Sequence, residues 1–228
     1  DAKNAKISNT KDSVKITIDN PRGDIAFYVA IVDDFQKNKP EKQLAEIRAE
    51  IDKGWAGMLA AHKSKWKNFY GDCGVHIEDS RVEATYYTAL YNLKCWSTQW
   101  SIPVGILPTH WNGMYFGFTF FNPALCATEH FDEACKIARY WNSFPKLVER
   151  RAGRPRSPTG RRYSWLSLED GNEGTTMQGR WLDHILHMGN ISLEAFTCYK
   201  YTEDAELLER TVYPILKGCA EFFRHQAV

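Results

Sequence analysis

Within GRRYSWLSLEDGNEGT, residues 160–175, Trp165 stands close in sequence to three carboxylates, Glu169, Asp170 and Glu173, with Gly171 and Gly174 among them. The stretch has no apolar period of its own, so neither a helix nor a strand accounts for its aromatic and acidic side chains. An aromatic ring beside carboxylates and amides suits a sugar, whose apolar ring face stacks while its hydroxyls take polar partners. Cleaving a glycosidic bond needs, in addition, a carboxylic acid that protonates the leaving oxygen. Trp111 and Asn112, in PVGILPTHWNG at 103–113, are of the same types and complete a candidate set of Trp111, Asn112, Trp165 and Glu173, with Glu169 and Asp170 beside them. The structural alternative is that the tryptophans pack on helix ends while the acids are solvated or cap helices.

Other chemistries fit less well. Asp170, Asn172 and Glu173 around a glycine could hold calcium, but DGNE lacks the full spaced set of oxygen ligands. His184 and His187 in DHILHMGN are too close for i, i+4 ligation and have no Glu between them, so no metal site is expected; a single hydrogen-bonding His lining a pocket is. The run ERRAGRPRSPTGRR at 149–162 carries Arg150, Arg151, Arg154, Arg156, Arg161 and Arg162 without interleaved aromatics, and reads as a solvated loop rather than a phosphate or nucleic-acid site. Six cysteines include no Cys-x-x-Cys pair, which argues against structural zinc. Cys135, Cys198 and Cys219 fall in helical apolar patterns and are expected as buried thiols.

The elements that must carry these residues follow from periodicity. SVKITID (13–19) alternates and, through the turn NPRG, is expected to pair with DIAFYVAIV (24–32). Two strands alone are marginal in water, so they read as the end of a larger sheet. One helix is expected over 41–62, with Leu44, Ile47, Ile51, Trp55, Met58 and Leu59 on a face. Ser80 and Glu83 suggest a capping box for the next, striped by Val82, Tyr86, Ala89, Leu90, Leu93 and Trp96. Helical pattern resumes in FTFFNPALCATEHF and through 131–150, then in NISLEAFTCYKYT, in TEDAELLER capped by Thr202, and in a last helix begun by Pro214. Long aromatic and polar connections alternate with short ones, which puts the long ones at one end of a helical bundle or toroid, where they can wall a cavity.

The 228 residues carry 29 basic and 28 acidic side chains, a formal net charge of +1, so neither nucleic acid nor an anionic membrane is expected as a partner. No apolar run is long enough for a transmembrane helix. Compartment is left open, and no cofactor is indicated.

In order, YVAIVDDF, HKSKWKNFYGDCGVHIED, YYTALYNL, PVGILPTHWNG, GRRYSWLSLEDGNE and HMGNISLEAFTCYKYTEDAELLERTVYPILKGCAEFF resemble the six-hairpin (α/α)6 glycosidases, especially the group around glycoside hydrolase families 65 and 95. Trp165, Ser167, Gly171 and Glu173 match the Trp, Ser, Gly and Glu of the family 65 stretch Gly-x-x-Tyr-Pro-Trp-x-Ser…Gly-x-Glu, and His187 matches the His that follows. The sequence departs at Ser164, where Pro is usual, at Glu203, where Gly is usual, and at Phe118, Thr119 and Phe120, which offer no first-subsite carboxylate.

The resemblance implies a mainly α chain: the end of a β-sandwich over 1–35, a helical linker over 36–65, and the N-terminal part of the toroid over 66–228. It implies an oligosaccharide or glycoside substrate, with Trp111, Asn112, Trp165, Glu173 and His187 as substrate-binding residues, and the rest of the toroid and sandwich as structural partners. The expected reaction is inverting hydrolysis, with inverting phosphorolysis or sugar binding without turnover as alternatives. Acid and base are expected on later loops, so no residue here is assigned as catalytic and this piece alone is expected to be inactive.

Overall fold

The computed structural model describes residues 5–19, 25–32, 39–71, 74–104, 113–117, 121–153, 160–175 and 182–226. It is mainly helical and divides into two compact units, Asp1–Lys67 and Asn68–Val228.

In the first unit, β1 (Ala5–Asn9) and β2 (Val14–Ile18) form an antiparallel hairpin with Ile7 opposite Ile16. Here the expected pairing is corrected: residues 25–32 belong to no strand, and β2 pairs backward with β1. Thr10 N donates to Ser13 O at 2.8 Å, and the two hydroxyls lie 2.7 Å apart. NPRG lies outside the described residues. The single helix expected over 41–62 is two helices, α1 (Pro40–Ile51) and α2 (Gly54–Gly71), because the chain turns at Asp52 and Lys53 and Gly54 takes a positive φ of 68°. Trp55 is exposed, while Leu44, Ile47, Ile51, Met58 and Leu59 are half-buried.

The second unit holds the core. Helix α3 (Ser80–Trp96) is capped one residue earlier than expected: the Asp79 carboxylate accepts from Arg81 N at 2.9 Å. Glu83 instead accepts from Ile77 N at 2.8 Å, tying down the incoming chain. Of its expected stripe, only Leu90 is buried, while Val82 is exposed. After β3 (Tyr115–Phe116) come α4 (Phe121–Ala127), α5 (Phe131–Asn142) and α6 (Pro145–Ala152). The helical pattern over 131–150 is therefore divided, because Pro145 opens a new helix. Ala134, Cys135, Ala138 and Trp141 of α5 share one buried face. Strand β4 (Leu166–Ser167) pairs antiparallel with β3, and α7 (His187–Thr202) follows.

The last helical stretch is continuous: α8 (Ala205–Leu207) passes through a π-helical turn, Leu208–Val212, into α9 (Tyr213–Gln226). Its cap is Asp204, which accepts from Glu206 N and Leu207 N at 2.9 and 3.0 Å. Thr202 instead donates to Cys198 O within α7. Pro214 lies inside this stretch. A proline has no N–H for the carbonyl four residues back, here Arg210, and crowds it. The π turn makes room, with Tyr213 N reaching Leu208 O, and the Asn142 side chain supplies the missing donor to Arg210 O at 2.8 Å. Met188, Ile191, Ala195 and Cys198 of α7 pack with Val212, Ile215 and Phe222 and with the buried face of α5.

Candidate functional site

The loop 160–175 is built into this core from its first residue. Arg161 N donates to Gly218 O at 2.8 Å, and Arg162 N to Val148 O at 3.0 Å. The Arg161 guanidinium donates to Asn142 Oδ1 at 2.7 Å, so this arginine of the basic run is a structural tie rather than a solvated charge. Tyr163 is buried with its ring 5.6 Å from that of Trp141. Beyond it the chain forms the middle of a narrow ribbon: Tyr115 pairs with Ser167 on one side, and Ser167 bridges Glu173 on the other. Asp170 shapes the return, since its two carboxylate oxygens take Asn172 N at 2.8 Å and Asn172 Nδ2 at 2.6 Å. Gly171 turns there at φ 77°, with Phe144 filling the space a β-carbon would need. Tyr140 donates to Leu168 O at 2.5 Å and so fastens the turn to α5. Among the described residues no group of His, Cys, Asp or Glu could hold a metal ion.

Trp165 is half-buried, with Phe116 edge-on at 4.6 Å and His184 at 4.1 Å between ring centres. Glu173 is exposed; its Oε1 accepts from Thr175 N at 3.1 Å and from the Thr175 hydroxyl. Arg151 is half-buried, and burial depresses its pKa, with the Glu173 carboxylate the first charge to oppose that. An aromatic ledge and an anionic rim thus stand on one ribbon.

His187 is fully buried, 5.7 Å from the Trp165 ring, with Nε2 3.0 Å from Tyr163 O. Because a carbonyl only accepts, Nε2 carries the proton and Nδ1 is left as an acceptor. It takes its hydrogen from His184 Nδ1, 3.2 Å away. His187 therefore reaches the loop surface through Tyr163 and His184. Burial lowers its pKa to about 4. The folded chain keeps this ring neutral while the unfolded chain protonates it below about 6.5, so its contribution is complete above that pH and lost as pH falls toward 4. His187→Gln is expected to remove that part of the acid slope in urea unfolding measured across the window.

Trp111 and Asn112, with the GFTFFNP positions 118–120, lie outside the described residues. Of the expected binding residues, the structure brings Trp165 and His187 into ring contact and puts Glu173 across the ribbon from Ser167. Sequence reasoning missed Phe116, and it placed Arg151 in a solvated run. Its signal is the helical spacing of Val148, Arg151 and Ala152, which sets Arg151 next to buried positions of α6. A cavity of about 510 Å³ lined by Glu149, Gly160, Arg161, Tyr213, Lys217 and Glu221 opens at the start of the loop, and none of Trp165, Glu173 or His187 lines it.

Comparison with known proteins connects the chain to glycosidases. The periplasmic acid trehalase of Saccharomyces cerevisiae is 28% identical across 95% of this chain and 20% of its own length. The kojibiose hydrolase of Mucilaginibacter mallensis is 24% identical across 75% of this chain and 26% of its own length. The chain thus spans about a fifth to a quarter of these relatives. No family model and no solved structure matches it.

Proposed function

We propose that the chain is part of an inverting glycoside hydrolase, in which 1–35 end a β-sandwich, 36–65 form a helical linker, and 66–228 begin an (α/α)6 toroid. Loop 160–175 is a wall of its sugar pocket: Trp165 stacks on the sugar, Glu173 takes hydroxyls, and Trp111 and Asn112 add a second stacking face and an amide. His187 orients Tyr163 and His184 from below. The acid and base, held far enough apart to admit a water, lie on loops of the whole enzyme that follow this segment. The observation that supports this reading is the ribbon that holds half-buried Trp165 and exposed Glu173 on the helical core, in a chain similar to an acid trehalase and a kojibiose hydrolase.

The test uses the whole protein, with trehalose and kojibiose first because the relatives are named for them. Trp165→Ala is expected to weaken sugar binding about tenfold, the size of one lost stacking contact, and Glu173→Gln by about tenfold or more. Tryptophan fluorescence reads the binding and reducing-sugar release the turnover, with circular dichroism to check the fold. Unchanged affinity in both folded variants would end the pocket assignment. Cleavage that strictly needs phosphate would replace hydrolysis by phosphorolysis, and binding without turnover would make the protein a sugar binder. This 228-residue segment alone is expected to bind without turnover.

A further inference from the structure

The cavity of about 510 Å³ between α6, the first residues of loop 160–175 and α9 lies apart from the proposed sugar pocket. Its volume falls within the ~300–1,000 Å³ of small-molecule sites. Gly160 and Gly218 line it without side chains and are pressed together: a β-carbon on Gly160 would lie 2.9 Å from Gly218 O, and one on Gly218 would lie 2.5 Å from Arg161 Cγ. The charges around it balance, Glu149 and Glu221 against Arg161 and Lys217. Arg161 is already committed: its side chain is 13% exposed, donates to Asn142 Oδ1 at 2.7 Å and lies 3.6 Å from Glu149 Oε1. That leaves one ammonium and one carboxylate, exposed Lys217 and half-buried Glu221, one turn apart on α9. Their order is the less favourable one for a helical ion pair, and among the described residues neither forms one. Tyr213 adds an aromatic face that is 57% exposed, directly after the π turn Leu208–Val212. Such turns recur at functional sites.

We propose that this cavity is a second saccharide-binding site, separate from the pocket at Trp165. An apolar ligand would leave Lys217 and Glu221 desolvated without partners, and a lone anion such as phosphate would face both Glu149 and Glu221. A neutral ligand rich in hydroxyls meets every group present. Its hydroxyls donate to Glu221 and Glu149 and accept from Lys217, while the apolar face of its ring lies on Tyr213. Bonds to the two charged groups are of the charge-assisted kind, and both groups stand on one helix, so their spacing is fixed before the ligand arrives. The choice of a saccharide among polyhydroxyl ligands rests on the glycosidase reading of the chain; the cavity and its lining do not.

The test is calorimetric titration of the whole protein with sulfur-linked analogues of trehalose and kojibiose, which resist cleavage. Two sugars bound per chain are expected. Tyr213→Ala and Glu221→Gln are each expected to weaken one of the two sites about tenfold and leave the other unchanged, whereas Trp165→Ala does the reverse. Sugar added to the folded Trp165→Ala variant is expected to slow amide hydrogen exchange over 213–221. One sugar per chain, weakened by Trp165→Ala and untouched by Tyr213→Ala and Glu221→Gln, would overturn the second site and leave the pocket standing. One sugar with the opposite pattern would support the cavity and remove the pocket, and no sugar bound by the folded protein would overturn both. Glycine, whose opposite charges also match Lys217 and Glu221, is the control for ligand class and is expected to give no heat. Glycine binding that Glu221→Gln abolishes, with no sugar bound there, would overturn the saccharide assignment.

Discussion

Replacing Gly160 with alanine is expected to lower the melting temperature by about 10 °C, through a loss of about 3 kcal/mol, and to weaken the sugar binding proposed for Trp165. Gly160 has φ 103°, which an L side chain rarely adopts. A β-carbon there would lie 2.5 Å from Phe222 N and 2.9 Å from both Phe222 Cα and Gly218 O. These are backbone atoms of α9, so no side-chain rotation relieves the clash. Gly189→Ala is the matched control: it lies in α7, exposed, with nothing within 4 Å of the added carbon, and should be neutral or gain up to about 1 kcal/mol. If both variants melt with the parent, the loop does not depend on its contact with α9.

The effect reaches the proposed sugar pocket because successive residues after Gly160 are each held. Arg161 bonds to Gly218 O and Asn142, Arg162 to Val148 O, and the Tyr163 carbonyl sits on His187. Asn142 also serves the carbonyl that Pro214 leaves without its helical donor, so the anchor of the loop and the irregularity of the last helix share one side chain. Displacing Gly160 from α9 loosens the first of these ties, and Trp165 is only two residues past the last.

How much of this was legible in the sequence depended on range. The buried face of α5 was readable because Ala134, Cys135, Ala138 and Trp141 repeat at helical spacing, a local signal. Caps were misread by one or two residues where neighbours compete: Ser80 and Thr202 looked suitable, but Asp79 and Asp204 stand where a carboxylate meets the first free N–H groups. The break at Pro145 interrupts an otherwise helical pattern over 131–150. Pro214 reads as a helix start, its usual meaning, because the donor that lets it sit inside a helix comes from Asn142, far away in sequence. The same holds for the site. Trp165 and Glu173 stand out by type, whereas Phe116 joins them only through the β3–β4 pairing, which no local pattern encodes, and Arg151 through the packing of α6, whose local trace is the helical spacing of Val148, Arg151 and Ala152. The resemblance that points to His187 carries no information on depth; its full burial comes from packing in the core, where the Tyr163 carbonyl satisfies its Nε2.

Glu133→Gln is the second large effect, and its signature is in the acid limb of stability. Glu133 is 7% exposed on α5 and receives Lys94 and Ser97 from α3 and the turn after it, and Lys136 from its own helix at 2.7 Å. Lys136 also donates to Ser97 Oγ and Thr98 O, at 2.7 and 2.9 Å, so the carboxylate organises both lysines and the chain leading to Tyr115. Burial alone would raise its pKa; hydrogen bonds from Lys136, Lys94 and Ser97 outweigh burial and hold it at about 2. The unfolded carboxyl titrates near 4.5, so the stabilisation is complete above that pH and is lost as pH falls through 4.5 toward 2. The Lys94 side chain is 38% exposed and screened by water, which reduces the contribution to about 2 kcal/mol at neutral pH. Urea unfolding of parent and variant should therefore differ by about that amount at pH 7, and most of the difference should be gone by about pH 2, where half of the parent carboxyls are protonated. His187 acts alike in both proteins and cancels from the difference. A gap that stays constant from pH 7 to pH 2 would mean that packing, and not the charge on Glu133, joins α3 to α5.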